Sequence, residues 1–238
     1  TDPAFGKMVL LGHSMGGLLS HAMVVDDNEL FWQMFTYKSF NDILGPPELL
    51  REIDHYVHFR ALPYVRRVVF LATPHRGSDY TRRLVGRVGT NLISEPDYYT
   101  KLIDQLVKDN PDTFPRRIRH LPTSIETLDP ESPVLSALLK MPVNPGVALN
   151  SIIGSIRPEA RTSTTDGVVP YSSAHLDGVE SEVVVHSGHD VQNNPLAIRE
   201  VKRILLKHLA DQAPSPIPPG APAPVSEAVR PELISAPR

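Results

Sequence analysis

Three features of this 238-residue chain predict an α/β architecture, a mostly parallel sheet flanked by helices. First, apolar runs of strand length recur at residues 7–11, 68–71, 149–156 and 182–186, bounded by Gly, Pro and polar residues. Second, helical spacing of apolar residues appears at 47–59 and at 195–209, where Leu196, Ile198, Val201, Ile204, Leu205 and Leu209 recur. Third, the run Met8-Val9-Leu10-Leu11 leads through a tight, glycine-bounded turn around one serine into a second apolar run with Leu18, Leu19, Met23 and Val24.

That turn, Gly12-His13-Ser14-Met15-Gly16, has the G-x-S-x-G pattern in its strand–turn–helix context. The geometry forces the serine into a strained conformation, so its neighbours two positions away, Gly12 and Gly16, are expected to have to be glycine. The serine hydroxyl then stands at the top of a sheet, beside a helix N-terminus that favours developing negative charge.

A nucleophilic serine needs a base, and the base needs an orienting carboxylate. The loop after the run 149–156 carries Thr165-Asp166-Gly167, and the run 182–186 is followed by Ser187-Gly188-His189-Asp190. Ser14, Asp166 and His189 are thus expected at the C-terminal ends of three successive buried strands, where open α/β sheets place ligands. Asp190 competes with Asp166, but a residue adjacent to His189 rarely reaches the far side of its ring. Asp129 and Asp177 lie too far into loops. His13, next to the serine, is expected to face away along its strand, as a structural or pocket-lining residue. His75 reads as packing near the pocket, and His186 as a buried strand residue.

Four segments in the same order resemble α/β-hydrolases of the lipase/esterase type, close to the triacylglycerol-lipase and GPI-inositol-deacylase-like group. They are Gly12-His13-Ser14-Met15-Gly16-Gly17, Thr73-Pro74-His75-Arg76-Gly77-Ser78, the Asp-Gly-x-Val-Pro stretch at Asp166, and Gly188-His189. The resemblance covers residues 7–210 and implies an α/β-hydrolase fold that cleaves carboxylic esters, often lipid esters. The implied catalytic residues are Ser14, Asp166 and His189, with the Met15 amide as one oxyanion donor. An acyltransferase or amidase on the same three residues, a non-catalytic binding member and an inactive fragment are the alternatives. The chain opens with Thr1, a few residues before the strand that leads to the serine, so the family's N-terminal strands and second oxyanion donor are expected to lie upstream.

A net charge of −3 without blocks gives no basic face, which argues against nucleic acid as a partner. There are no cysteines, no stretch approaching a membrane span, no cluster with metal-ligand spacing and no Gly-rich phosphate cradle, so no metal or cofactor is expected. The expected domain is 1–211. Within it, residues 79–148 are too long for a simple connection and predict a helical cap (98–108 and 134–139) with breaks at Pro111, Pro115, Pro122, Pro130 and Pro133. The aromatic stretch in 26–59 (Phe31, Trp32, Phe35, Tyr37, Phe40) reads as a connection packed on the sheet or as an apolar wall beside an acyl pocket. Residues 212–238 are Pro/Ala-rich and are expected from that composition to form a disordered tail.

Overall fold

The computed structural model describes residues 3–27, 29–80, 97–114, 127–160 and 163–212. Of the expected cap, residues 81–96 and 115–126 lie outside these, as does the expected tail from residue 213 onward.

Four strands, β1 (Met8–His13), β2 (Val65–Leu71), β3 (Ala148–Ser155) and β4 (Ser181–His186), form one sheet among the described residues. Every pairing is parallel, and the spatial order follows the chain order. Helices lie in the connections: α1 (Met15–Ala22) and α2 (Pro47–Val57) before β2, α3 (Asp97–Asp109) and α4 (Pro133–Lys140) before β3, and α5 (Tyr171–Ala174) before β4. A last helix, α6 (Pro195–Asp211), follows β4. Among the described residues the chain is an α/β protein with a parallel sheet flanked by helices.

β2 and β3 are interior strands with helices on both faces, which is why apolar residues on both faces dominate Val68–Leu71 of β2 and recur at Leu149, Ile152 and Ile153 of β3. Alternate residues of β2 serve opposite faces. Val69 and Leu71 pack with Ile152, Val191, Ala197 and Ile204 under α6. Val68 and Phe70 pack with Val24 and Leu149 on the other side.

β2 begins at Val65, earlier than its apolar run, because Arg66 and Arg67 interrupt the pattern. Arg67 is nevertheless buried, with its side chain 3% exposed. A charge in that position needs partners. Its guanidinium donates to Asn150 Oδ1 and Glu180 Oε1, each at 2.8 Å, and to Asp211 Oδ2 at 3.2 Å. This ties the end of α6 to the middle of the sheet, and the guanidinium holds the Glu180 carboxyl below its ordinary range.

The two ends of the sheet compare differently with the sequence reading. Among the described residues β1 pairs with β2 alone and Leu11 is half exposed, the open edge expected of this strand when its apolar composition would otherwise suit burial on both faces. His186, expected to be buried, is exposed, because it is the last residue of the strand at the sheet's opposite end. Its main-chain carbonyl still accepts a bond from Asn194 Nδ2 at 2.9 Å.

Asn194 also starts α6. Its Oδ1 accepts the amides of Leu196 and Ala197, and Pro195 takes the first helical position, where no amide is needed. The inward face of α6 is Ala197, Val201, Ile204 and His208, a strict helical stripe. Leu196, Ile198, Leu205 and Leu209 of the sequence pattern are exposed instead. Among the described residues no helix is long and apolar enough to cross a membrane.

Candidate active site

The serine turn has the strain its sequence implies. Ser14 sits between β1 and α1 at φ 53° and ψ −127°, a region that non-glycine residues enter only when the surroundings enforce it. Two main-chain bonds do so: the Ser14 amide donates to the Leu71 carbonyl, and the Gly17 amide to the Ser14 carbonyl, both at 2.9 Å.

The glycine requirement falls on a different pair from the one expected. A β-carbon on Gly12 would stand 2.5 Å from Gly17 Cα, and one on Gly17 would stand 1.8 Å from Thr73 Oγ1. Gly16 has nothing within 4 Å of that position. The close approach is between strand end, helix start and the Thr73 loop, so Gly17 carries the constraint and Gly16 does not.

Asp166 follows β3 and is buried, its side chain 1% exposed. Its Oδ1 accepts the amides of Val168 at 2.8 Å and Val169 at 2.6 Å, a tight turn that Gly167 permits at φ 94°. That leaves Oδ2 free for the loop after β4. His189 Nδ1 lies 2.8 Å from Asp166 Oδ2, and its Nε2 lies 2.9 Å from Ser14 Oγ. With a carboxylate on Nδ1, the neutral ring carries its proton there. Nδ1–H then donates to Asp166, and Nε2 accepts the Ser14 hydroxyl. The three residues predicted from sequence therefore meet in one hydrogen-bonded line. β2 intervenes between the strand of Ser14 and that of Asp166, so the strands are not successive.

The other candidates separate cleanly. Asp190 is exposed and opens the short turn at Val191–Asn193, where its carbonyl accepts the Asn193 amide. Asp177 is 3.2 Å from His175 Nε2, and Asp129 accepts the Glu131 amide within its own loop. His75 is 1% exposed and packs edge-on against Phe70 and His21, with ring centroids 4.6 and 5.4 Å away. Among the described residues neither of its nitrogens has a hydrogen-bond partner, and neither does His21 Nδ1. Burial lowers His75 to about 3 and His21 to about 4, so both are neutral near pH 7.

His13 does not face away. Its Nε2 is 2.7 Å from the His189 carbonyl, and the two rings are 4.9 Å apart. Sequence reasoning missed this bond, and also missed Gly154, whose place inside a strand signals close approach of other backbone.

Met15 is the first residue of α1, so its amide has no carbonyl partner within the helix. The amides of His75, Arg76, Gly77 and Ser78 are already bonded to Thr73, Ser173, Pro74 and Leu128, so that loop buttresses the turn. Beside Met15 runs a groove of about 230 Å³. Leu19, Phe31, Phe59, Leu135 and Leu138 are among its walls, and Thr127 is the one polar lining residue among those described. Phe31 and Phe59 thus form part of an apolar wall, while Trp32 and Phe40 pack with Ile43, Ile53 and Leu106 of α3. Among the described residues no cluster of His, Cys, Asp and Glu could hold a metal ion.

No protein-family model matches the sequence, and no curated protein matches it either. Among solved structures it is similar to the mature lipase BlEst2 of Bacillus licheniformis, at 15% identity and a TM-score of 0.43 over 84% of this chain. It is likewise similar to the Staphylococcus hyicus lipase, at 15% identity and a TM-score of 0.43 over 86% of this chain and 71% of that one. The chain spans 65% of the length of the Bacillus protein.

Proposed function

We propose that this chain carries a serine hydrolase site for carboxylic esters with an apolar acyl group. One observation carries the reading: the continuous line Ser14 Oγ, His189 Nε2, His189 Nδ1, Asp166 Oδ2, with both links under 3 Å. In this reading His189 takes the Ser14 proton as Oγ attacks the ester carbonyl. Asp166 keeps the ring in the required tautomer and stabilises its charged form. The Met15 amide, without a partner inside α1 and at the helix's positive end, donates to the oxyanion. His189 then passes its proton to the leaving alkoxide. Water attacks the acyl-enzyme with His189 again as base, releasing the acid and restoring Ser14.

The groove supports the acyl half of the proposal. Met15 offers its amide to the reacting oxygen and its side chain to the groove wall, so an acyl chain on Ser14 has an apolar path beside it. The test is labelling with a fluorophosphonate and turnover of p-nitrophenyl esters. Both should be lost in Ser14→Ala. Ester turnover that survives Ser14→Ala would end the reading, because the attacking group would lie elsewhere.

A further inference from the structure

We infer that His13 is a positioning residue for the His189 imidazole, acting through the bond from its ring to the His189 main-chain carbonyl. The inference rests on the proposed roles of Ser14 and His189. A carbonyl oxygen only accepts, so His13 Nε2 carries the proton and donates across 2.7 Å.

The need for this bond lies in the loop. Residues 187–190 leave β4 at one end of the sheet, whereas Ser14 follows β1 at the other. The loop is fastened before His189 by the Ser187 amide on the Ser155 carbonyl at 3.1 Å. It is fastened after it by the Asn193 amide on the Asp190 carbonyl at 2.9 Å. Neither bond refers the loop to the serine. The His13 bond does, because His13 and Ser14 are consecutive: the strand end that presents Oγ also grips the backbone from which Nε2 projects. Asp166 sets the rotation of the ring, and His13 sets how far the loop stands from the nucleophile. A displacement near 1 Å between reacting groups costs on the order of 100-fold in rate, so a bond that fixes this distance affects kcat directly.

The experiment compares two side chains of similar length in the full chain. His13→Gln keeps an N–H donor at the end of the side chain, and His13→Met removes it. His13→Met should lower kcat and the fluorophosphonate labelling rate by about 10- to 100-fold. KM should stay within about threefold, since ground-state binding is untouched. His13→Gln should recover most of the loss. Thermal unfolding of both variants separates misfolding from mispositioning. Equal rates in the two variants, whether both fast or both slow, would overturn the inference, because the donor would then not matter. Ser14→Ala, run alongside, distinguishes that result from failure of the serine hydrolase reading: it must be inactive whatever His13 does.

Discussion

Gly154 of β3 lies so close under Asp166 that a β-carbon on it would stand 2.9 Å from Asp166 Cβ. The same atom would stand 2.7 Å from Val191 Cγ2 and 2.9 Å from the Gly188 carbonyl. The loops that carry the carboxylate and the imidazole therefore close over a bare strand backbone. Gly154→Ala should push them outward and lower kcat by at least about tenfold. Overpacking should also cost about 1–3 kcal/mol of stability. Ester kinetics and urea unfolding on the same preparation check both, and a silent Gly154→Ala would show that the loops tolerate the shift.

The two adjacent glycines of α1 should behave in opposite ways. Gly17→Ala drives its methyl into Thr73, and unfolding midpoints should fall by an amount equivalent to about 1–3 kcal/mol. Gly16→Ala meets open space within a helix, where alanine is favoured over glycine by roughly 0.5–1 kcal/mol. Its midpoint should hold or rise. The reverse order would restore the Gly12 and Gly16 pair as the constrained one.

Acid should destabilise the protein through the buried histidine pair. In the unfolded chain each histidine takes a proton as pH falls below about 6.5. In the folded chain His21 stays neutral down to about 4 and His75 down to about 3, because burial disfavours the charged ring. Between these limits the unfolded state binds more protons, so stability falls as pH falls from 6.5. Denaturant midpoints measured from pH 7 to pH 4.5 should drop, and His75→Leu should drop less steeply than the parent. Parallel slopes would mean that carboxylates alone carry the acid sensitivity.

Filling the groove should shorten the preferred acyl chain. Leu138 is buried at the groove wall beside Leu135 and Met141. Leu138→Trp should cut kcat/KM for long-chain p-nitrophenyl esters at least about tenfold relative to the acetate, since one methylene in an apolar pocket is worth about 10-fold or more. An unchanged chain-length profile would place the acyl group outside this groove.

The legible parts of this protein are those encoded within a few consecutive residues. Gly12 to Gly17 spells a strand–turn–helix because the strained Ser14 needs small neighbours. Val68 to Leu71 and Leu149 to Ile153 read as strands because an interior parallel strand is apolar on both faces. The reading failed where the partner lies far along the chain. His186 looks like a core residue within its apolar run, yet strand order leaves it at a sheet end. Leu196, Ile198, Leu205 and Leu209 fit a helical pattern as well as Ala197, Val201 and Ile204 do, and only packing against the sheet selects the second stripe.

The sequence by itself determined the serine turn, the interior strands and the start of α6 at Asn194-Pro195, since each follows from local sterics, apolar patterning or an unpaired helix amide. The tertiary structure alone decided that Gly17, not Gly16, bears the close contact and that His13 grips the loop of His189, and it supplied the distances at which Asp166 and His189, expected from sequence, meet Ser14. Each of those contacts joins residues far apart in the chain, 175 positions in the case of Ser14 and His189. The distance between such groups is set by the order and register of four strands, and no short segment carries that information.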